Sequence, residues 1–194
     1  MRQEKTWKKS SMTSAEDLII TFHGCNAGMP ERNKLRMKEM IYDFAIHTLY
    51  YENQDIRVPN FSLAIDTLEL VFEIQTGKLL CIQGFFPLVQ ASEGNVNLPE
   101  CKKGDYLLHN FDLSTCKQDE VYDLIKKIPQ TQKYFEKAPI KYDKERGIIQ
   151  IGKETGENEI VIEVSDNIIC GLDQNSDLES IYILPTRFIN ETTR

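Results

Sequence analysis

The stretch FSLAIDTLELVFEIQTGKLLCIQGFFPL, Phe61 to Leu88, decides the fold. Within it Leu68, Leu70, Phe72 and Ile74 fall on one side of a two-residue repeat, and Glu69, Val71, Glu73 and Gln75 fall on the other. That alternation belongs to a strand with one buried face. Gly77 then interrupts the apolar pattern with a residue that takes positive φ without steric penalty, and Leu80 to Phe86 begins a second apolar run. The reading is an antiparallel hairpin turning around Gly77, with Phe72 facing the core. Phe61, Leu63 and Ile65 alternate in the opposite phase, so the stretch also predicts a bulge or tight corner at Asp66-Thr67.

Outward from this hairpin, the rest of the chain reads as one α+β domain over 14–190, with a basic arm at 1–13 and a short tail at 191–194. Toward the N-terminus, Asp17 to Gly24 reads as a short strand. Glu31 to Tyr51 carries Met37, Met40, Ile41, Phe44, Ala45 and Leu49 at three- and four-residue spacing, which predicts an amphipathic helix. Toward the C-terminus, Asp105 to Leu113 alternates like a strand. Thr115 and Gln118 then match a capping box before the stripe Val121, Leu124, Ile125 and Ile128, predicting a helix over 116–128 that Pro129 ends. From Ile140 onward, short apolar runs separated by Gly, Asp and Asn predict an antiparallel meander. The expected architecture is a mainly antiparallel sheet, hairpin plus C-terminal meander, covered by two helices. The hairpin at 144–152 faintly echoes the one at 77–84, too weakly to predict a repeat.

Composition narrows the function. The 194 residues are 41% hydrophobic and 27% charged, ordinary for a globular chain. No apolar run approaches the roughly 18 residues of a spanning helix, so no membrane association is expected. The first residues lack the apolar core of a signal peptide, and the five cysteines are odd in number and scattered without a C-x-x-C pair. Both features suit reduced thiols in a cytoplasm. Residues 1–153 hold 21 Lys and Arg against 21 Asp and Glu, whereas 154–194 hold 2 against 9, which places the formal charge of −7 in the last strands. A nucleic-acid binder would need the opposite sign.

Three motifs bear on chemistry. Leu18 to Gly28, LIITFHGCNAG, resembles the strand and His-Gly turn that supplies an oxyanion-hole amide in α/β-hydrolases, but no G-x-S-x-G nucleophile elbow accompanies it. Cys25 beside His23, with His47 or His109 as a base, would suit a small cysteine- or histidine-dependent hydrolase if the fold gathered them. A plain glycine turn explains the letters around Cys25 equally well, and Cys25 is not expected to be a nucleophile. The run Asp173, Asn175, Asp177, Glu179 begins like a calcium loop, yet Leu178 stands where glycine is required and Leu184 where the closing glutamate belongs. An acidic loop without metal is the expectation. With no phosphate- or dinucleotide-binding motif, no cofactor is expected either.

The functional expectation is a non-enzymatic cytoplasmic interaction protein with an acidic C-terminal surface at Glu157, Asp173, Asp177 and Glu179 that meets a basic protein partner. Its most concrete version is an immunity protein blocking a toxin such as a nuclease. Acidic surfaces speed association with basic partners and mimic the phosphates of their substrates.

Overall fold

A computed structural model describes residues 39–52, 54–137, 139–153 and 160–190. The arm at 1–13, the strand at 17–24, residues 31–38 of the expected first helix and the tail at 191–194 lie outside the described residues. The described chain is mostly β and broadly α+β, with two one-turn helices, α1 (Leu124–Lys127) and α2 (Gln132–Phe135).

The hairpin expected at Gly77 is present. Strands β3 (Asn60–Ile65), β4 (Leu68–Glu73) and β5 (Leu79–Phe85) pair antiparallel in succession. Leu68, Leu70 and Phe72 are fully buried, and Gly77 takes φ +69° in the turn. The phase slip at Asp66-Thr67 is a two-residue corner in which Asp66 adopts φ +56°, a left-handed conformation that aspartate tolerates better than most residues.

The first helix is corrected over its described part. Glu39–Asp43 is strand β1 and Thr48–Glu52 is strand β2, joined by a turn over 44–47. Met40, Ile41 and Tyr42 are all buried, so β1 is covered on both faces and shows no alternation. The second helix shrinks to α1. Val121–Asp123 is strand β8, and the cap on α1 is Asp123, which accepts from Lys126 N at 2.9 Å, rather than Thr115. The expected strand at 105–113 is reduced to a single bridge between Lys78 and Leu107.

The remaining strands are β6 (Ser92–Glu93), β7 (Lys102–Lys103), β9 (Ile140–Asp143), β10 (Ile148–Gly152), β11 (Ile160–Ser165), β12 (Ile168–Leu172), β13 (Leu178–Ile183) and β14 (Arg187–Ile189). Among the described residues two seven-stranded sheets result, ordered β14-β1-β2-β5-β4-β3-β8 and β6-β9-β10-β13-β12-β11-β7. The meander is therefore corrected as well, because β13 inserts between β10 and β12, and both sheets are mixed. Their edge strands β14, β8, β6 and β7 all run parallel to their neighbours. Buried residues from both sheets form one core cluster.

The two strand orders are the same path taken twice. Strands β1 to β5 and β9 to β13 follow one pattern, and β3 (Asn60–Ile65) lies 100 positions before β11 (Ile160–Ser165). Corners Asp66-Thr67 and Asp166-Asn167 correspond, and a bulge at Leu80 in β5 recurs at Glu179 in β13. After β5 the chain crosses to the other sheet and pairs β6 with β9; after β13 it crosses back and pairs β14 with β1. An aspartate fastens each crossing. Asp43 accepts from Asn190 Nδ2 at 2.9 Å, just beyond β14, and Asp143 accepts from Val96 N at 3.1 Å, just beyond β6. Phe188 of β14 packs its ring against Tyr42, Phe44 and Tyr142 with centroids 5.8–6.0 Å away, joining the two halves.

Between the halves, residues 86–139 stitch the sheets together. Val96 packs with Ile148, Ile169 and Tyr182 over the second sheet, with Leu98 and Cys101 beside them. The chain then returns to the Gly77 turn, where Leu79 N donates to Tyr106 O at 2.9 Å, before β8 joins β3.

The aspartate clasps predict an acid dependence. The Asn190 amide holds the Asp43 carboxyl below the usual aspartate range, and the Val96 N–H does the same for Asp143. A carboxyl depressed in the fold contributes stability above its unfolded pKa and loses it as pH falls through the folded value. Asp143→Asn is therefore expected to melt lower than the wild type at pH 7, with the gap closing as pH drops below the ordinary aspartate range. Melting followed from pH 7 to pH 2 checks this; a constant gap would mean the clasp acts through shape alone.

Candidate functional site

Where the first half and the linker meet the second half, a groove of about 460 Å³ opens. Its floor is apolar, formed by Phe86 after β5, Ile125 of α1, Phe135 of α2, Ile140 of β9 and Ile151 of β10. Phe86, Phe135 and Ile151 are buried, while Ile125 and Ile140 are half-buried. Three exposed carboxylates, Asp66, Asp123 and Glu136, stand on the lining with Lys137. The volume is that of an ordinary ligand cleft, and polar side chains share the lining with the apolar ones.

Each wall has a local cause. The left-handed φ of Asp66 ends β3 tightly, and Thr67 Oγ1 donates to Phe85 O at 2.7 Å, pinning the corner to the end of β5. Asp123 caps α1 and faces Lys126 at 3.7 Å, so its charge is already partly engaged. Pro129 starts a 3-10 turn between the helices, and Thr131 Oγ1 donates back to Ile128 O, setting the direction of α2.

The acids expected on the C-terminal surface are placed differently. Asp173 is 8% exposed and Glu179 only 1%, which corrects the expectation that they stand out to solvent. Asp173 folds its own turn. Its Oδ1 accepts from the backbone of Asn175 and Asp177 at 2.9 and 3.1 Å, and its Oδ2 accepts from Tyr134 OH at 3.0 Å and Lys133 Nζ at 3.3 Å. Burial alone would raise its pKa, but these bonds together hold the carboxyl below the usual range. Glu179 is ion-paired with Lys153. Asp177 is half-buried and accepts from Gln130 Nε2 at 3.4 Å. Glu157 lies outside the described residues. The D-x-N-x-D-x-E run is thus a self-bonded turn leading into a buried glutamate paired with an exposed lysine, and among the described residues no group of His, Cys, Asp and Glu is arranged to hold a metal ion.

Cys25 and His23 also lie outside the described residues. His109 is exposed on the linker. His47 sits in the β1–β2 turn at φ +51°, edge-on to Phe85 with centroids 6.2 Å apart. All four described cysteines are free, and burial pushes the Cys81 and Cys170 thiols up to about 12. At pH 8 both are expected to resist iodoacetamide in the native protein and to react only on unfolding. Mass spectrometry after timed labelling reads this directly, and native-state labelling of either at the rate of a free thiol would contradict the packing around them.

The groove is invisible to motif reading because its floor comes from segments scattered between Phe86 and Ile151. No family model and no curated protein matches the chain.

Proposed function

We propose that this is a non-enzymatic cytoplasmic interaction protein that binds a basic protein. Its most concrete form is an immunity or antitoxin-type inhibitor covering a basic toxin such as a nuclease. The observation that carries this reading is charge: the chain holds 30 Asp and Glu against 23 Lys and Arg, and its last 41 residues hold 9 against 2. Among the described residues from 140 onward the exposed acids are Glu145 and Asp166, with Glu163 and Asp177 half-buried, since Asp143, Asp173 and Glu179 are engaged internally. A field of this sign raises the encounter rate with a cationic surface and repels nucleic acid.

Affinity capture from the native cell at low salt, followed by association kinetics with the identified protein, tests the proposal. The expected partner has a basic surface, and its association slows steeply as salt rises. In the immunity version, co-expression also restores growth to cells carrying the partner. A partner whose association ignores ionic strength would overturn the reading.

A further inference from the structure

The duplicated halves differ at one place that matters. After β13 only Leu184–Thr186 separates it from β14, and this connection is bonded straight onto the first strand: Thr186 N donates to Met40 O at 2.8 Å, and Met40 N donates to Thr186 Oγ1 at 3.3 Å. The pair Met40 and Tyr51, opposite each other in β1 and β2, is closed off at 0% and 6% exposure. The equivalent pair in the second half is Ile140 and Ile151. There the connection from β5 to β6 runs over 86–91, twice as long. Both residues line the groove, Ile151 buried at 1% exposure and Ile140 half-buried. The first half covers Met40 completely, whereas the second leaves Ile140 half-buried at the groove.

We propose that this groove docks a segment of the basic partner that presents an apolar side chain next to a Lys or Arg. The proposal rests on the reading of the protein as a binder of a basic protein. The apolar side chain would cover the half-buried Ile125 and Ile140 above the buried Phe135 and Ile151, and the neighbouring cation would meet Asp66 and Glu136, the two rim carboxylates whose side chains cap no helix. Lys137 is the single cation on the lining, so the charge balance of the mouth favours a cationic visitor. It also disfavours a second copy of this chain, whose net charge is −7. An apolar floor with a few polar groups at its edge supplies affinity from the first and orientation from the second.

The test is an amide chemical-shift titration of the full chain with acetyl-Leu-Arg-Phe-Arg-amide, beside acetyl-Gly-Arg-Gly-Arg-amide and acetyl-Leu-Glu-Phe-Glu-amide. Shifts are expected around Asp66, Ile125, Phe135 to Lys137 and Ile140 with the first peptide only. Asp66→Asn combined with Glu136→Gln, choices that keep the left-handed corner and the helix end, should weaken that binding at least about threefold with unchanged melting. Equal binding of the glycine peptide, shifts centred elsewhere, or self-association of the chain through these residues would overturn the proposal. The full-length partner separates the two levels. Salt-dependent association that the double variant leaves unchanged sinks the groove alone, whereas salt-independent association sinks the wider reading.

Discussion

Phe72→Ala is expected to lower the unfolding free energy by about 3–5 kcal/mol, the range for deleting a fully buried aromatic ring. Phe72 is 0% exposed, stacks on Phe61 at 5.8 Å and meets Tyr106 edge-on at 6.2 Å. Phe61 in turn stacks on Phe111 of the linker, so the cavity would open between the first sheet and the linker that returns to it. Collapse is hindered on both sides, because β4 is hydrogen-bonded to β3 and β5 and Tyr106 O is held by Leu79 N. Denaturant unfolding measures the loss, with Val89→Ala as the control: Val89 is 72% exposed and should change stability by no more than about 0.5 kcal/mol. A loss at Phe72 below about 1 kcal/mol would mean that its ring does not face the core.

That hairpin was readable because β4 alternates in sequence, with Leu68, Leu70 and Phe72 inward and the half-buried Glu69 and Glu73 on the other face, where Val71 between them is buried as well. Where both faces are covered the signal fails. Met40, Ile41 and Tyr42 are consecutive and all buried, and adding Phe44 and Leu49 to them yields helical spacing by accident, since the intervening turn contributes residues to the count. The turn itself ends at His47 with φ +51°, and its position carries no glycine to announce it. The second helix failed differently. Val121, Leu124, Ile125 and Ile128 do share a stripe, but Val121–Asp123 is claimed by β3 as a parallel edge strand, a long-range pairing that outweighs local propensity.

The duplication was nearly illegible for a related reason. Equivalent positions share Tyr42-Asp43 with Tyr142-Asp143 and Asp66 with Asp166, residues that serve the clasps and corners, while the core positions between them only need to be apolar. The hairpin at 144–152 echoes 44–52 in the fold, not 77–84. The groove follows from the same fact, because it exists only where the two copies cease to match, and a mismatch is visible only once the match is known. Burial of Asp173 and Glu179 likewise depended on partners, Lys133, Tyr134 and Lys153, that no local pattern connects to them.

The second half also differs from the first in how far its central pair of strands is zipped, and this sets the largest backbone effect expected. β2 and β5 share two matched positions, Thr48 with Phe85 and Leu49 with Gly84, whereas β10 and β13 remain paired from Ile149 with Ile183 down to Gly152 with Ser180. The longer zipper brings the bulged residue Glu179 over the end of β10, where Lys153 N donates to Glu179 O at 3.2 Å and the Lys153 side chain pairs with the Glu179 carboxylate. At Gly152 the backbone takes φ +89°, and a Cβ there would lie 2.5 Å from Glu179 O and 3.1 Å from the Phe135 ring. Neither neighbour yields easily, one being strand backbone and the other a buried ring of α2 that floors the groove. Gly152→Ala is therefore expected to cost about 3 kcal/mol or more, combining left-handed strain with displacement of the β13 bulge. Glu52→Ala, at the matching position of the first half, should stay within about 0.5 kcal/mol, because Glu52 is exposed beyond the short zipper. Paired denaturant melts of the two variants decide it. Equal losses would show that the two halves are zipped alike, and would remove the longer β10–β13 pairing as the reason for glycine at 152.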